Sequence, residues 1–263
     1  MNSHSIHPAA LVTSLWTNRR LIRTLVKREV LGRYRGSVLG IFWSFFHPLL
    51  MLGVYSFVFG EIFKSRFADN SHSRIEFTLL LFAGLLIFNL FAECINKAPT
   101  LILNHANFVK KVVFPLEILP WVAIGSALFH TIISLCVWVL AYAFFLGWPQ
   151  PTIFLLPFIL VPFSCLLVGI SWMLASLGVY LRDINQVVTL GVSSLMFISP
   201  IFYPVASLPE SIRPILYANP LTPVIEWTRQ VMYWGGIPDL SGILMFTFAC
   251  GGICWIGFFW FQK

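Results

Sequence analysis

The sequence predicts an all-α membrane protein with six transmembrane helices and both termini in the cytoplasm. An amphipathic interface helix precedes the spans, and short re-entrant helices lie between spans five and six. Three observations predict this. Of 263 residues, 58% are hydrophobic and only 10% charged, against about 25% charged in soluble domains; a soluble fold of this size cannot cover so much apolar surface. Residues 36–60, 118–181, 184–209 and 240–262 contain no Asp, Glu, Lys or Arg, and about 20 apolar residues suffice to cross a bilayer. Finally, 12 of the 17 Lys and Arg fall in segments that an N-inside arrangement leaves in the cytoplasm, as the positive-inside rule requires. A secreted domain, a nucleic-acid binder and a soluble enzyme are excluded.

In chain order, residues 1–36 form a cytoplasmic tail and interface helix, and residues 37–263 a single transmembrane domain. Over 11–31, Leu11, Leu15, Ile22, Leu25 and Val26 share one helical face while Arg20, Arg23 and Lys27 share another. Such a helix lies along an anionic membrane surface. The spans are expected at 37–60, 77–93, 118–146, 153–181, 187–207 and 240–261. The second is short and ends at the charge of Glu93. The 64-residue uncharged run 118–181 holds two spans, separated at Gly147-Trp148-Pro149-Gln150-Pro151. The first apolar run is too long for a signal-peptide core and is expected to stay as a span.

Two connections are not simple loops. Residues 96–115 carry Asn104, His105, Asn107, Lys110 and Lys111 between Pro99 and Pro115, room for a short helix projecting inward. Residues 208–239 mix five prolines with Tyr217, Trp227, Tyr233 and Trp234. Two short amphipathic helices split by Asn219-Pro220 fit this best, dipping back toward the membrane, where such backbone must pack on protein or line a wet cavity.

Two weakly polar stripes recur at helical spacing. The first span carries Ser37, Gly40, Ser44, His47, Met51 and Tyr55; the fifth carries Gln186, Thr189, Ser193, Phe197 and Pro200. Such stripes serve helix packing or face a channel. Ser171, Ala175 and Gly178 are expected to pack. Cys94, Cys136, Cys165, Cys250 and Cys254 lie in or beside apolar segments and are read as packing residues, neither disulfides nor metal ligands. The sequence has no G-x-x-x-x-G-K-[ST] motif, so the chain cannot bind ATP through a P-loop of its own. Ionisable groups are nearly absent from the spans, which argues against ion-coupled transport.

The run Val26-Lys27-Arg28-Glu29-Val30-Leu31-Gly32-Arg33-Tyr34-Arg35-Gly36-Ser37-Val38-Leu39-Gly40, ahead of a Phe/Trp-rich span, resembles the start of ABC-2 type polysaccharide exporter permeases. So do Leu181-Arg182-Asp183-Ile184, Ser199-Pro200-Ile201-Phe202-Tyr203-Pro204 and Asn219-Pro220-Leu221-Thr222-Pro223. The resemblance implies a homodimer in the bacterial inner membrane with two copies of a cytoplasmic ATP-binding subunit, which would hold ATP and Mg; this chain would carry no cofactor and no metal. It implies contact with those subunits through Arg20, Arg23, Lys27, Asn104, His105, Asn107, Lys110 and Lys111. It also implies a channel lined by Ser37, Ser44, His47, Tyr55, Gln186, Thr189, Ser193, Phe197, Phe202 and Tyr203, and an outer gate near Tyr217, Asn219, Trp227, Tyr233 and Trp234. The cargo would be a lipid-linked polysaccharide, O-antigen foremost, with capsular polysaccharide, teichoic acid or a small amphiphile as alternatives. A membrane enzyme acting on lipid-linked sugars through Glu210, Glu226 or Asp239 is the competing class.

Overall fold

The structure, a computed structural model, describes residues 8–62, 74–105 and 114–263; among them every regular element is helical. The amphipathic segment forms two helices, α1 (Pro8–Thr17) and α2 (Arg19–Arg33). They separate at Asn18, whose amide donates to the Ser14 carbonyl at 2.9 Å in the way short polar side chains compete with helical bonding. Leu25 is buried against Ile118 and Val122, with Ile22 and Val26 beside it, while Arg20, Arg23 and Lys27 are exposed. The apolar and basic faces therefore lie where the periodicity places them.

Gly36 adopts φ +85°, a left-handed conformation that glycine takes without steric cost, and the chain turns there from α2 toward the first span. That span begins at Gly40, not Ser37. A 3₁₀ turn leads into α3 (Trp43–Tyr55), which widens into a π-helical segment, Ser56–Ile62. The second span is longer than the expected 77–93. α4 (Arg74–Lys97) continues through Ala98–Thr100 and Leu101–Asn104, because Glu93 finds charged partners beside the helix and does not have to end it. α5 (Leu119–Leu146) and α6 (Leu156–Tyr180) follow, parted at the Gly/Pro breaker as expected.

α7 (Ile184–Ile198) corrects the expected fifth span, 187–207. Ser199 is extended, with ψ 146°, because the ring of Pro200 disfavours a helical residue before it. Fifteen residues at about 1.5 Å each give about 22 Å. Among the described residues, five segments are long and apolar enough to cross a membrane: Gly40–Phe59, Ile75–Asn104, Leu116–Leu146, Pro151–Tyr180 and Leu240–Gln262. α7 is a shorter apolar helix. α8 (Arg213–Ala218) and α9 (Leu221–Arg229) are the two short helices expected on either side of Asn219-Pro220, followed by a wide turn, Gln230–Trp234, and α10 (Leu240–Gln262).

α4 is the axis of the bundle. It is apolar on all sides and buried continuously over residues 77–88, which marks a core helix. Lipid tails are as apolar as leucine, so close approach and interhelical hydrogen bonds hold such a bundle together. Trp138 Nε1 donates to the Leu79 carbonyl at 2.9 Å, and Trp172 Nε1 to the Glu117 carbonyl at 3.1 Å. α6 and α10 meet at Gly169 and Gly257, where a Cβ on either would overlap the other helix's backbone. Ser171, Ala175 and Gly178 are buried. All five cysteines are free thiols, only Cys136 being exposed.

Asp239 caps α10, accepting from the backbone N–H of Ser241 at 3.3 Å and of Gly242 at 3.0 Å, and from the Ser241 hydroxyl at 2.6 Å. The hydroxyl of Ser241, and then the two backbone groups, hold its carboxyl below the usual carboxylate range. A group depressed in the folded state adds stability above its unfolded pKa and loses it as pH falls through the folded value. Asp239→Ala should therefore lower the thermal unfolding midpoint in detergent at neutral pH, and the gap from the parent should narrow on acidification. Asp239→Asn should retain most of the cap.

Candidate functional site

The two weakly polar stripes differ in how far the chain covers them. In α3 only Ser44, Pro48 and Leu52 are buried, one narrow line at four-residue spacing. The Ser44 hydroxyl donates to the Ile41 carbonyl at 2.6 Å, His47 and Ser37 are exposed, and Tyr55 is half-buried. α7 turns Ile184, Val188, Val192 and Leu195 inward and leaves Gln186, Thr189, Ser193 and Phe197 exposed. Thr189 donates to the Asn185 carbonyl at 2.8 Å, and Ser193 to the Thr189 carbonyl at 2.9 Å. With their protons used by their own helix, these hydroxyls present lone pairs outward as acceptors.

Aromatic rings join the stripes at one end of the bundle. Phe59 stacks on Phe202 at 5.6 Å and Phe202 on Phe197 at 6.1 Å, while Tyr55 meets Phe59 at 6.5 Å. Tyr203 Oη lies 3.0 Å from the carbonyls of both Phe197 and Ile198, the C-terminal carbonyls that α7 itself leaves unsatisfied. Tyr55, Phe197, Phe202 and Tyr203 thus come together; Ser37 does not join them.

The expected gate residues have divided roles. Asn219 is buried: its Nδ2 donates to the Ser199 hydroxyl at 2.9 Å and its Oδ1 accepts from the Leu221 N–H at 3.0 Å, so it locks the α8–α9 corner to the elbow after α7. Trp227 packs edge-on against Phe246 of α10 at 5.6 Å. Tyr233 meets Tyr142 edge-on at 5.9 Å; burial and then the nearby Glu76 push its phenol up to about 12. Tyr217 and Trp234 are exposed.

The strongest tie in this region is Arg229, which the charge count places simply among basic residues on the far side. Its side chain is fully buried. Nε donates to the Leu80 carbonyl at 3.1 Å, Nη1 to the Pro200 carbonyl at 2.6 Å and to Glu226 at 2.9 Å, and Nη2 to the Ile201 carbonyl at 2.7 Å. Burial pulls the guanidinium down to about 10, with Glu226 opposing, so it stays charged at neutral pH. One planar fork fastens α9 to α4 and to the elbow. Of the acids considered for catalysis, Glu226 is this pair's anion and Asp239 a helix cap, while Glu210 lies exposed in a turn.

At the other end, α2 is fixed to the bundle by charge. Glu93 of α4 accepts from Arg33 of α2 and from Lys97 at 3.0 Å, and lies 3.0 Å from His130 Nδ1 of α5; Lys97 also reaches Glu29 of α2 at 2.8 Å. Asn104 and His105 sit across a cavity of about 260 Å³ from Leu25, Arg28 and Glu29 of α2. The basic face of α2 therefore shares one end of the molecule with Asn104 and His105. Asn107, Lys110 and Lys111 lie outside the described residues.

A larger cavity, about 610 Å³, opens beside this network among α2, α3, α4 and α5, with Trp43, His47, Asn89, Asn96 and Ser134 on its walls. Sequence reasoning missed it. Its signal was present: Asn89, Glu93, Asn96 and Lys97 are four, seven and eight residues apart from the first, a polar line on an otherwise apolar helix, faced by His130 and Ser134 at i, i+4.

The family model described as ABC-2 type transporter matches residues 20–233. The chain is 26% identical over 247 residues to the O-antigen export system permease protein RfbA of Myxococcus xanthus, covering 93% of this chain and 92% of that one. It is 26% identical to the RfbA of Klebsiella pneumoniae over 217 residues, 82% and 81% of the two chains. It is also 27% identical over 239 residues to the polysialic acid transport protein KpsM of Escherichia coli, 86% and 87% of each.

Proposed function

This chain belongs to the ABC-2 type transporter family, and from that premise we propose that it is the permease subunit of an ATP-driven exporter of a lipid-linked polysaccharide, O-antigen foremost. The observation that carries this is similarity along nearly the whole chain to permeases named for O-antigen export and for polysialic acid transport. In this reading α7 crosses as the fifth of six spans, and α2 with the Asn104 region faces the cytoplasm and meets a partner ATPase. Two copies assemble around a channel between them, the α8–α9 corner standing at its far mouth.

Physical chemistry supports the reading. A sugar chain is polar and bulky, and it moves as an extended strand that needs a continuous wet path. The exposed face of α7 offers hydroxyl and amide acceptors, and the Phe59–Phe202–Phe197 stack offers ring faces to C–H groups; neither is a ring of fixed charges that would trap cargo. α3 is covered on a single narrow line, so its remaining surface needs lipid or a second copy.

Deletion of the gene, followed by blotting for surface glycan and for lipid-linked polymer inside the cell, tests the proposal. Loss of surface glycan with polymer accumulating inside, both reversed by the gene in trans, is the expected result. Unchanged surface glycan would overturn it.

A further inference from the structure

We infer that Cys165 of α6 and Cys254 of α10 form a peroxide-sensitive thiol pair that closes to a disulfide across the seam between the two helices. Both are free thiols in the structure. Backbone meets backbone along this seam: a Cβ on Gly169 would stand 2.8 Å from the Cα of Cys254, and one on Gly257 2.8 Å from the Cα of Gly169. Cys165 precedes Gly169 by four residues and so shares its face of α6. From there its sulfur accepts a hydrogen bond from the Cys254 thiol. A disulfide requires Cα atoms within about 7 Å and Cβ atoms about 3.5–4.5 Å apart, and helices in backbone contact bring facing residues to that separation. Cys250, one turn earlier on the same buried line of α10, is the third thiol of the seam.

The two sulfurs differ in access. Cys254 is 4% exposed, whereas Cys165 is half-buried and follows the exposed Phe158 and Val161 along one edge of α6. That edge lies within Pro151–Tyr180, a segment apolar enough to cross a membrane, so an oxidant that reaches it has to dissolve in hydrocarbon. An organic hydroperoxide, the class that oxidised lipid tails supply, meets that need. Cys165 Sγ attacks the hydroxyl oxygen of the peroxide, the O–O bond breaks, the alcohol leaves with the thiol proton, and Cys165 becomes a sulfenic acid. The hydrogen bond from Cys254 helps the attacking sulfur carry charge in that step. Cys254 Sγ then attacks the Cys165 sulfur, the S–O bond breaks, and water leaves with the Cys254 proton. Two thiols and one hydroperoxide thus give one disulfide, one alcohol and one water. The bridge ties α10, which buries only a single line of residues, to the helix that holds it.

The full chain in detergent micelles is treated with cumene hydroperoxide, denatured, alkylated and mapped by mass spectrometry. The expected product is a peptide pair bridged between Cys165 and Cys254, lighter by about 2 Da than the two thiol peptides and reopened by a phosphine. The thermal unfolding midpoint of the bridged chain should rise by about 5 °C or more. Cys254→Ala removes the resolving thiol, so a dimedone adduct at Cys165 should increase at least about tenfold over the parent. Cys165→Ala should leave Cys254 alkylatable, and Cys136→Ala should leave the bridge as it is in the parent. If Cys165 and Cys254 both stayed alkylatable while the exposed Cys136 was oxidised, the pair would be overturned. A bridge from Cys165 to Cys250, or to a second copy of the chain, would overturn it equally.

Discussion

Arg229→Met is expected to be the most damaging single substitution of similar size in this chain. It strands the carbonyls of Leu80, Pro200 and Ile201 in a buried setting and leaves Glu226 without its partner. Each buried carbonyl left without a donor costs about 1–3 kcal/mol, so the three together are much of a typical domain's margin of about 5–15 kcal/mol. Thermal unfolding in detergent should show a large drop or no folded protein. Arg229→Lys should fall in between, because an ammonium keeps the charge but cannot span three carbonyls in one plane. Glu226→Gln should be mild, since the Glu226 side chain is 31% exposed and an amide can still accept. A Met variant as stable as the parent would show that the three carbonyls are satisfied by other means.

Gly257→Leu is expected to detach α10. The helix buries only Cys250, Cys254, Gly257 and Phe258, a single line against α6, and the Gly257 position faces the Gly169 carbonyl with no room for a Cβ. Overpacking a tight contact costs about 1–3 kcal/mol when side chains can yield; here backbone has to move, so the cost should lie at or above that range. Gly251→Leu and Gly252→Leu are the controls, because a Cβ at either meets nothing within 4 Å. Protease sensitivity of the C-terminal helix together with the unfolding midpoint reads the effect. If all three variants behaved alike, the glycine contact would not be what holds α10.

The parts legible in the sequence were those set by composition and by local chemistry. Uncharged runs gave the long helices, the Gly147–Pro151 breaker gave the α5–α6 boundary, and the spacing of Ile22, Leu25 and Val26 gave the buried face of α2. The illegible parts depend on partners distant along the chain. Glu93 looked like the end of a span because its neighbours Arg33 and His130 are 60 and 37 residues away. Arg229 looked like one more exterior charge, since its acceptors come from Leu80 and from the elbow at Pro200. Pro200 itself was in plain view, and the rule that the residue before proline leaves the helix would have ended α7 at Ile198. The α3 and α7 stripes were visible as patterns, but only the fold shows that Phe59 and Phe202 bring their ends together.

Crossing as the proposed function requires, the 15 residues of α7 would also make a demand on the surrounding membrane. A hydrocarbon core is about 30 Å thick, and a helix shorter than that is accommodated by drawing the two leaflets together locally, at a fraction of a kcal/mol per ångström of mismatch. Next to helices such as α5, with 28 residues, the bilayer edge around such a protein would be uneven: full depth along one flank, pinched along another. Lipid elasticity therefore favours placing the short flank against protein instead of lipid. In the proposed two-copy assembly that force would act before any side-chain contact forms, and it would weaken as the host bilayer becomes thinner.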